Sequence, residues 1–205
     1  FVPSQLIGLD QFAAAFPDGQ VLSRETGFSR DYGRNPYVGY DDPDTGAAFL
    51  DQEADARLPA KERIVTFPDA REALAILTTE LAAAGVAHVE VDGSPVVLFA
   101  APGLASALDT AQVADGDPIA ATAAFRPEHE GRPLTFAPVP DVDAREDGGA
   151  VAMDRETGSR WTLLGRAVAG PLDGAQLTAV PHLDTFWFAQ AAFRPDTRLL
   201  RVAAR

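Results

Sequence analysis

Three histidines, thirty carboxylates and no cysteine bound the chemistry of this 205-residue chain. Without cysteine there is no disulfide, no thiolate nucleophile, no iron–sulfur cluster and no cysteine zinc site. The first catalytic candidates are His182 and Asp184, in Pro181–Phe188. A histidine near a carboxylate can act as a general base or ligate a metal, and on a strand positions 182 and 184 share a face. Yet His88, His129 and His182 are scattered and show no metal-ligand spacing. The plainer reading is a partly buried histidine bonded to backbone, beside an N-cap Asp or Thr that starts a helix.

The richest stretch is Phe28–Asp44, which by composition is a loop and holds all three tyrosines. Arg30, Asp31, Tyr32, Arg34, Asn35, Tyr37 and Tyr40 place guanidinium forks, a carboxylate and phenols within a short span. Arg30 or Arg34 can grip a carboxylate or phosphate through paired N–H donors. The competing reading is an ordered plug, with rings covering a core edge and Arg–Asp pairs fastening turns. Trp187, between Phe186 and Phe188, can stack on a ring ligand or pack in the core; three consecutive aromatics cannot all face one way. Asp42-x-Asp44-x-Gly46 and Asp141-x-Asp143 are fragments of calcium loops without the full ligand set, so solvated acidic loops are the better reading. No G-x-S-x-G, Walker or dinucleotide-binding pattern occurs. No metal and no cofactor is expected.

Several elements must position these residues. Leu9–Phe16 has helical spacing at Leu9, Phe12 and Phe16, with Pro17-Asp18-Gly19 as a stop. A strand is expected at 20–23 and another at 63–67. Asp69–Ala84 reads as helix ended by Gly85, although Glu72–Ile76 also alternates and could pair back on 64–67. Asp92-Gly93 joins Ala87–Val91 to Pro95–Ala100 in a hairpin. Ala101–Ala107 reads as a turn. Glu130-Gly131 is expected to join Ala120–Phe125 to Pro133–Pro138, and Val139–Gly149 is an acidic loop.

Two echoes run through the chain. Arg24–Gly27 (RETG) recurs at Arg155–Gly158, and Val2–Leu22 shares a Val-Pro, Phe and Pro-Asp skeleton with Val180–Leu200. We read a repeat unit. The chain begins at Phe1 rather than methionine, so a leader or upstream domain is expected and the first copy is read as truncated. The expectation is one domain over 1–205. Repeat-like segments 1–27 and 154–202 flank a hairpin-rich middle, 57–140. The class is β-rich α+β, with several hairpins and few short helices.

The net charge is −13 and Lys61 is the only lysine. So acidic a surface repels nucleic-acid phosphates and anionic lipid, and no apolar run reaches the roughly 18 residues of a membrane span. The expected partner is a small molecule or a protein, not nucleic acid.

Val21–Asp42, Arg57–Val65 and Glu156–Thr197 carry a further signal. Their phrases, among them VLSRETGFSRDYGRNPYVGYDD and GRAVAGPLDGAQLTAVPHLDTFWF, resemble a prokaryotic family, domain of unknown function 3179, over nearly the whole chain. The resemblance implies no established activity or site residues. Members often follow a secretion or lipoprotein signal, which implies an extracytoplasmic place, with a cytoplasmic one as the alternative. Many members carry Cys-Pro-x-Cys where this chain has Ala101-Pro102-Gly103-Leu104, so any work of that pair is missing here. The functional expectation is a non-catalytic binding or structural module in which the tyrosine loop and Pro181–Phe188 form one surface. The alternative is an enzyme acting on a small anion through His182 and an acidic partner.

Overall fold

The strand that organises the molecule is β4, Ser94–Ala105. It pairs antiparallel with β3 (Val86–Val91) and with β5 (Pro118–Phe125). Its run Val96–Ala101 is buried throughout, and alternate side chains serve two different cores. Val97, Phe99 and Ala101 face one; Val96, Leu98 and Ala100 face the other. A strand covered on both sides needs an unbroken apolar sequence, which VVLFAA supplies. The computed structural model describes residues 4–47, 50, 53–139 and 148–202.

On the first side, Phe99 and Phe125 pack with Phe136 and Trp161. These come from a second sheet in the order β11-β10-β9-β8: Ala167–Ala169, Arg160–Thr162, Ala150–Asp154 and Phe136–Pro138. At Gly165, in the turn between β10 and β11, φ is +73° and a Cβ would lie 2.5 Å from the Phe125 ring, so only glycine fits. The RETG turn joins β9 to β10. Buried Asp154 accepts from Trp161 Nε1 (2.8 Å) and from the Thr157 amide and hydroxyl, which fixes that turn against the core.

On the other side lies a third sheet, β12-β1-β2-β13: Leu183–Phe186, Arg63–Thr66, Leu74–Leu77 and Arg198–Leu200. The hairpin β1–β2 lies at its centre. The unit β12–α3–β13 clasps it, pairing antiparallel with β1 and parallel with β2. Helix α3 (Trp187–Phe193) covers the outer face and buries Trp187 and Ala191 on Ile64 and Ala75. Helix α2, Thr78–Ala84, follows β2 directly and ends at Gly85 in a positive-φ cap. Asp69–Ala84 thus contains both readings its sequence allows, strand first and then helix.

Helix α1, Leu9–Ala15, has the expected position. Its local shape matches that of α3: seven residues, an extended N-cap, and a C-cap near φ −131°, ψ 77° against −135°, 74°. It is nonetheless buried nowhere: Leu9 and the C-cap Phe16 are exposed, and Phe12 is half-buried.

Several expectations are corrected. Residues 20–23 form no strand. Ala101–Ala107 is not a turn: β4 runs on to Ala105 through a bulge after Ala101, where Ala101 pairs with Ala121 and Leu104 with Ile119. One extra residue lets β4 bend without losing β5. Glu130-Gly131 does turn, but it joins only the two-residue strands Glu128–His129 and Arg132–Pro133. The flanking runs are claimed by larger partners, β5 by β4 and β8 by β9. Most of the acidic loop Val139–Gly149, with Asp141 and Asp143, lies outside the described residues. Among the described residues, no helix is long and apolar enough to cross a membrane.

Candidate functional site

The tyrosine loop has no regular structure of its own, so its backbone bonds must come from elsewhere. They come from the segment after β4. The amides of Asn35, Gly39 and Tyr40 donate to the carbonyls of Ala111 (2.9 Å), Asp109 (2.7 Å) and Leu108 (2.9 Å). Val113 donates to Gly33 (2.9 Å), whose φ of +98° turns its carbonyl toward that amide. Asn35 is the anchor, at 2% exposure. Its Nδ2 donates to the Thr110 carbonyl (2.9 Å), and its Oδ1 accepts from the Tyr37 amide (2.8 Å). The Asp109 carboxylate braces the supporting segment from behind. The Asp117 amide, first among its donors, holds its pKa below the ordinary carboxylate value.

The end of the loop is fastened to the sheets. Arg63 Nη2 donates to Asp41 Oδ2 (2.8 Å) and Ser106 Oγ (3.0 Å), and the Ser106 hydroxyl also donates to Asp41. The Arg63 guanidinium lies 5.0 Å over the Phe186 ring, and Tyr40 meets that ring at 5.9 Å. Lys61 Nζ sits 4.7 Å over Tyr40. The loop and the 182–188 segment therefore touch through Tyr40 and Phe186, and Arg63 on β1 bridges Asp41 to the same ring.

With its spine pinned, the loop turns Arg30 and Arg34 outward around an open concavity of about 660 Å³. Asp31, Tyr32, Pro36, Val38 and Ala111 complete the wall together with Gly33 and the anchor Asn35. The Tyr32 ring is set by a 2.6 Å hydroxyl bond to Thr26. Among the described residues, no carboxylate comes within ion-pair distance of Arg30 or Arg34. Tyr37 is exposed beside the concavity rather than in its wall.

His182 is different. It is 5% exposed, and both ring nitrogens face backbone carbonyls: Nδ1 that of Val180 at 3.1 Å, Nε2 that of Thr122 at 3.3 Å. A carbonyl only accepts, so a neutral ring donates to one of the two, and the surrounding backbone leaves little room for a bound molecule at either nitrogen. Asp184 is solvent-exposed and accepts from Thr122 Oγ1 at 2.9 Å on both oxygens. The protein packed beside the carboxylate displaces part of its hydration. That desolvation raises its pKa above the usual aspartate value, against the opposing pull of the Thr122 hydroxyl, His182 and Arg63. The cation facing Asp184 is Arg63, not a loop arginine. The helix N-cap here is Phe186, so neither Asp184 nor Thr185 caps α3.

A pH dependence follows. A carboxyl whose folded pKa is raised adds stability below the ordinary carboxylate range and loses it as pH rises through the folded value. Ionised Asp184 therefore costs stability at neutral pH, though exposure keeps the cost well below about 1 kcal/mol. Asp184→Asn keeps an acceptor for Thr122, and we expect Tm to rise by about 1–2 °C at pH 7. Calorimetric scans from pH 3.5 to 8 check this: the gain should vanish at the acid end, and a lower Tm at pH 7 would contradict it.

Trp187 is fully buried and its Nε1 donates to the Asp55 carbonyl (3.1 Å), so no ring face is open to a ligand. Phe186 and Phe188 are the half-buried pair, stacked at 6.2 Å. Asp42 accepts from the Asp44 amide in a local turn, and among the described residues no cluster could hold a metal. Arg63, Ser106, Asp41 and Thr122 were not among the expected site residues. They stand far apart in sequence and share no motif; only the fold brings them together.

A backbone-anchored loop on stacked sheets defines a β-rich scaffold. The chain belongs to the family described as protein of unknown function (DUF3179), whose model matches residues 1–197. No curated protein and no solved structure matches it.

Proposed function

We propose that this protein is a non-catalytic, extracytoplasmic binding module whose recognition surface is the loop Arg30–Tyr40, and that its ligand is a small organic anion. The observation that carries the reading is the pair Arg30 and Arg34, free of carboxylate partners among the described residues, on a loop held rigid from behind by Asn35. A pinned loop loses little conformational freedom on binding, which is how scaffolds position recognition groups. His182 is buried, with both ring nitrogens turned toward backbone carbonyls, which weighs against the enzymatic alternative. The extracytoplasmic place rests on the family resemblance alone.

The architecture reads as two copies of one unit. Leu9–Ala15 and Trp187–Phe193 each begin seven residues after the valine of a Val-Pro pair, and each ends in the same cap geometry. The two RETG segments each close on a positive-φ glycine, Gly27 and Gly158.

The test is a thermal-shift panel of carboxylates, phosphates and neutral sugars on the wild type and the double variant Arg30→Ala/Arg34→Ala. At a hundred times Kd, a ligand of the native state adds about 2.7 kcal/mol. That is about 5–10 °C for a chain this size. We expect such a rise with at least one anion in the wild type and none in the variant. No rise with any anion, or an equal rise in the variant, would overturn the reading.

A further inference from the structure

We propose that the anion is an acidic sugar, a pyranose carrying one carboxylate, bound in the concavity of the Arg30–Val38 loop. This rests on the binding reading above and specifies its ligand. The wall is not uniformly cationic. Asp31 stands between the two arginines in sequence and lines the same concavity, so the local balance is one net positive charge. That matches a single carboxylate better than a doubly charged phosphate, which Asp31 would repel. Asp31 is also the natural acceptor for hydroxyl donors, and a sugar presents several.

Most of the rest of the wall is apolar: Tyr32, Pro36, Val38 and Ala111 line it. The C–H face of a pyranose packs on such a surface while its hydroxyls reach the rim. Tyr32 suits this role because its hydroxyl is already bonded to Thr26, which sets the ring in place without a ligand. The volume, about 660 Å³, falls in the ordinary range for small-ligand sites. A ringless acid would use the arginines and leave the apolar wall bare. A neutral sugar would use the wall and leave the guanidinium pair without an anion.

The experiment is isothermal titration at 150 mM salt, where the Debye length is about 8 Å and the overall charge of the protein is largely screened. The probes are galacturonate, trigalacturonate, maltotriose and tricarballylate. The proteins are the wild type, Arg34→Ala and Tyr32→Leu. Their folding is checked by circular dichroism; Tyr32→Phe keeps the ring and drops only the Thr26 bond, and Val38→Asn, which makes another part of the apolar wall polar and should weaken binding in the same way, stands in if the leucine variant is unfolded. We expect a galacturonate compound to bind at least tenfold more tightly than maltotriose or tricarballylate. Arg34→Ala and Tyr32→Leu should each weaken it at least tenfold, whereas Tyr32→Phe should weaken it less than threefold. Monomer against trimer tells a free acid from a polymer. Equal binding of tricarballylate, untouched by Tyr32→Leu, overturns the sugar and leaves an anion-binding module standing. Equal binding of maltotriose, untouched by Arg34→Ala, overturns the acidic ligand and with it the arginine reading. No heat with either galacturonate compound overturns the sugar; if the thermal-shift panel is also silent, both readings fall.

Discussion

Trp187→Ala is expected to destabilise the protein by about 3–5 kcal/mol, the usual cost of truncating a large buried aromatic. The ring is wholly buried against Ile64, Ala75 and Ala191, where it seals α3 to the β1–β2 hairpin. Its loss opens a cavity and orphans the Asp55 carbonyl. The Arg57 guanidinium, 4.8 Å over the ring, loses its platform. Arg57 in turn ties the chain to the carbonyls of Thr197 and Pro195, both at 2.7 Å, and to Asp55 at 2.8 Å. One substitution therefore loosens both the helix and the segment that crosses it. Urea unfolding checks this: the midpoint should fall with the slope unchanged. A variant as stable as the wild type, but impaired in binding, would mean that Trp187 serves a ligand after all.

Asn35→Ala carries the second large effect. It strips the acceptor from the Tyr37 amide and the donor from the Thr110 carbonyl, at a site almost closed to water. Losing such bonds costs about 1–3 kcal/mol. The functional consequence is separable. Arg30 and Arg34 remain, but the loop that carries them must now be ordered by the ligand itself, so affinity should fall although both guanidinium groups are unchanged. Calorimetric titration beside the unfolding curve reads both quantities. Unchanged affinity with reduced stability would show that Asn35 supports the fold and not the platform.

Much of the scaffold was legible because its signals are local. Asp92-Gly93 fixes its hairpin through φ preferences alone; Asp92 has φ +50° and Gly93 +77°. Helix α1 was visible in the spacing of Leu9, Phe12 and Phe16, and its stop in Pro17-Asp18-Gly19. Asp69–Ala84 was ambiguous because it truly changes state within the stretch, at Leu77. What stayed hidden was non-local. Nothing in Ala101–Ala107 says that β5 will hold it in a strand, since small residues and a Pro-Gly pair read as a turn without their partner. The turn at Glu130-Gly131 was visible, but the competition of β4 and β9 for its flanks was not.

The site divides the same way. The composition of Arg30–Tyr40 marked it for recognition, whereas the clasp Asp41–Arg63–Ser106 joins residues up to 65 positions apart and leaves no mark in sequence. His182 and Asp184 part company in the fold, one buried and one exposed, and both meet Thr122 on β5: its carbonyl faces the imidazole and its hydroxyl bonds the carboxylate.

The central claim is that recognition belongs to the loop and not to the His182 region. The most direct test is an amide chemical-shift titration of the isotope-labelled protein with the anion that raises its Tm most. Shifts should concentrate at residues 30–38 and at Ala111, saturate together, and disappear in the Arg30→Ala/Arg34→Ala variant. Shifts centred on residues 180–186 and Thr122, with the loop silent, would contradict the account and return His182 and Asp184 to the centre of the function.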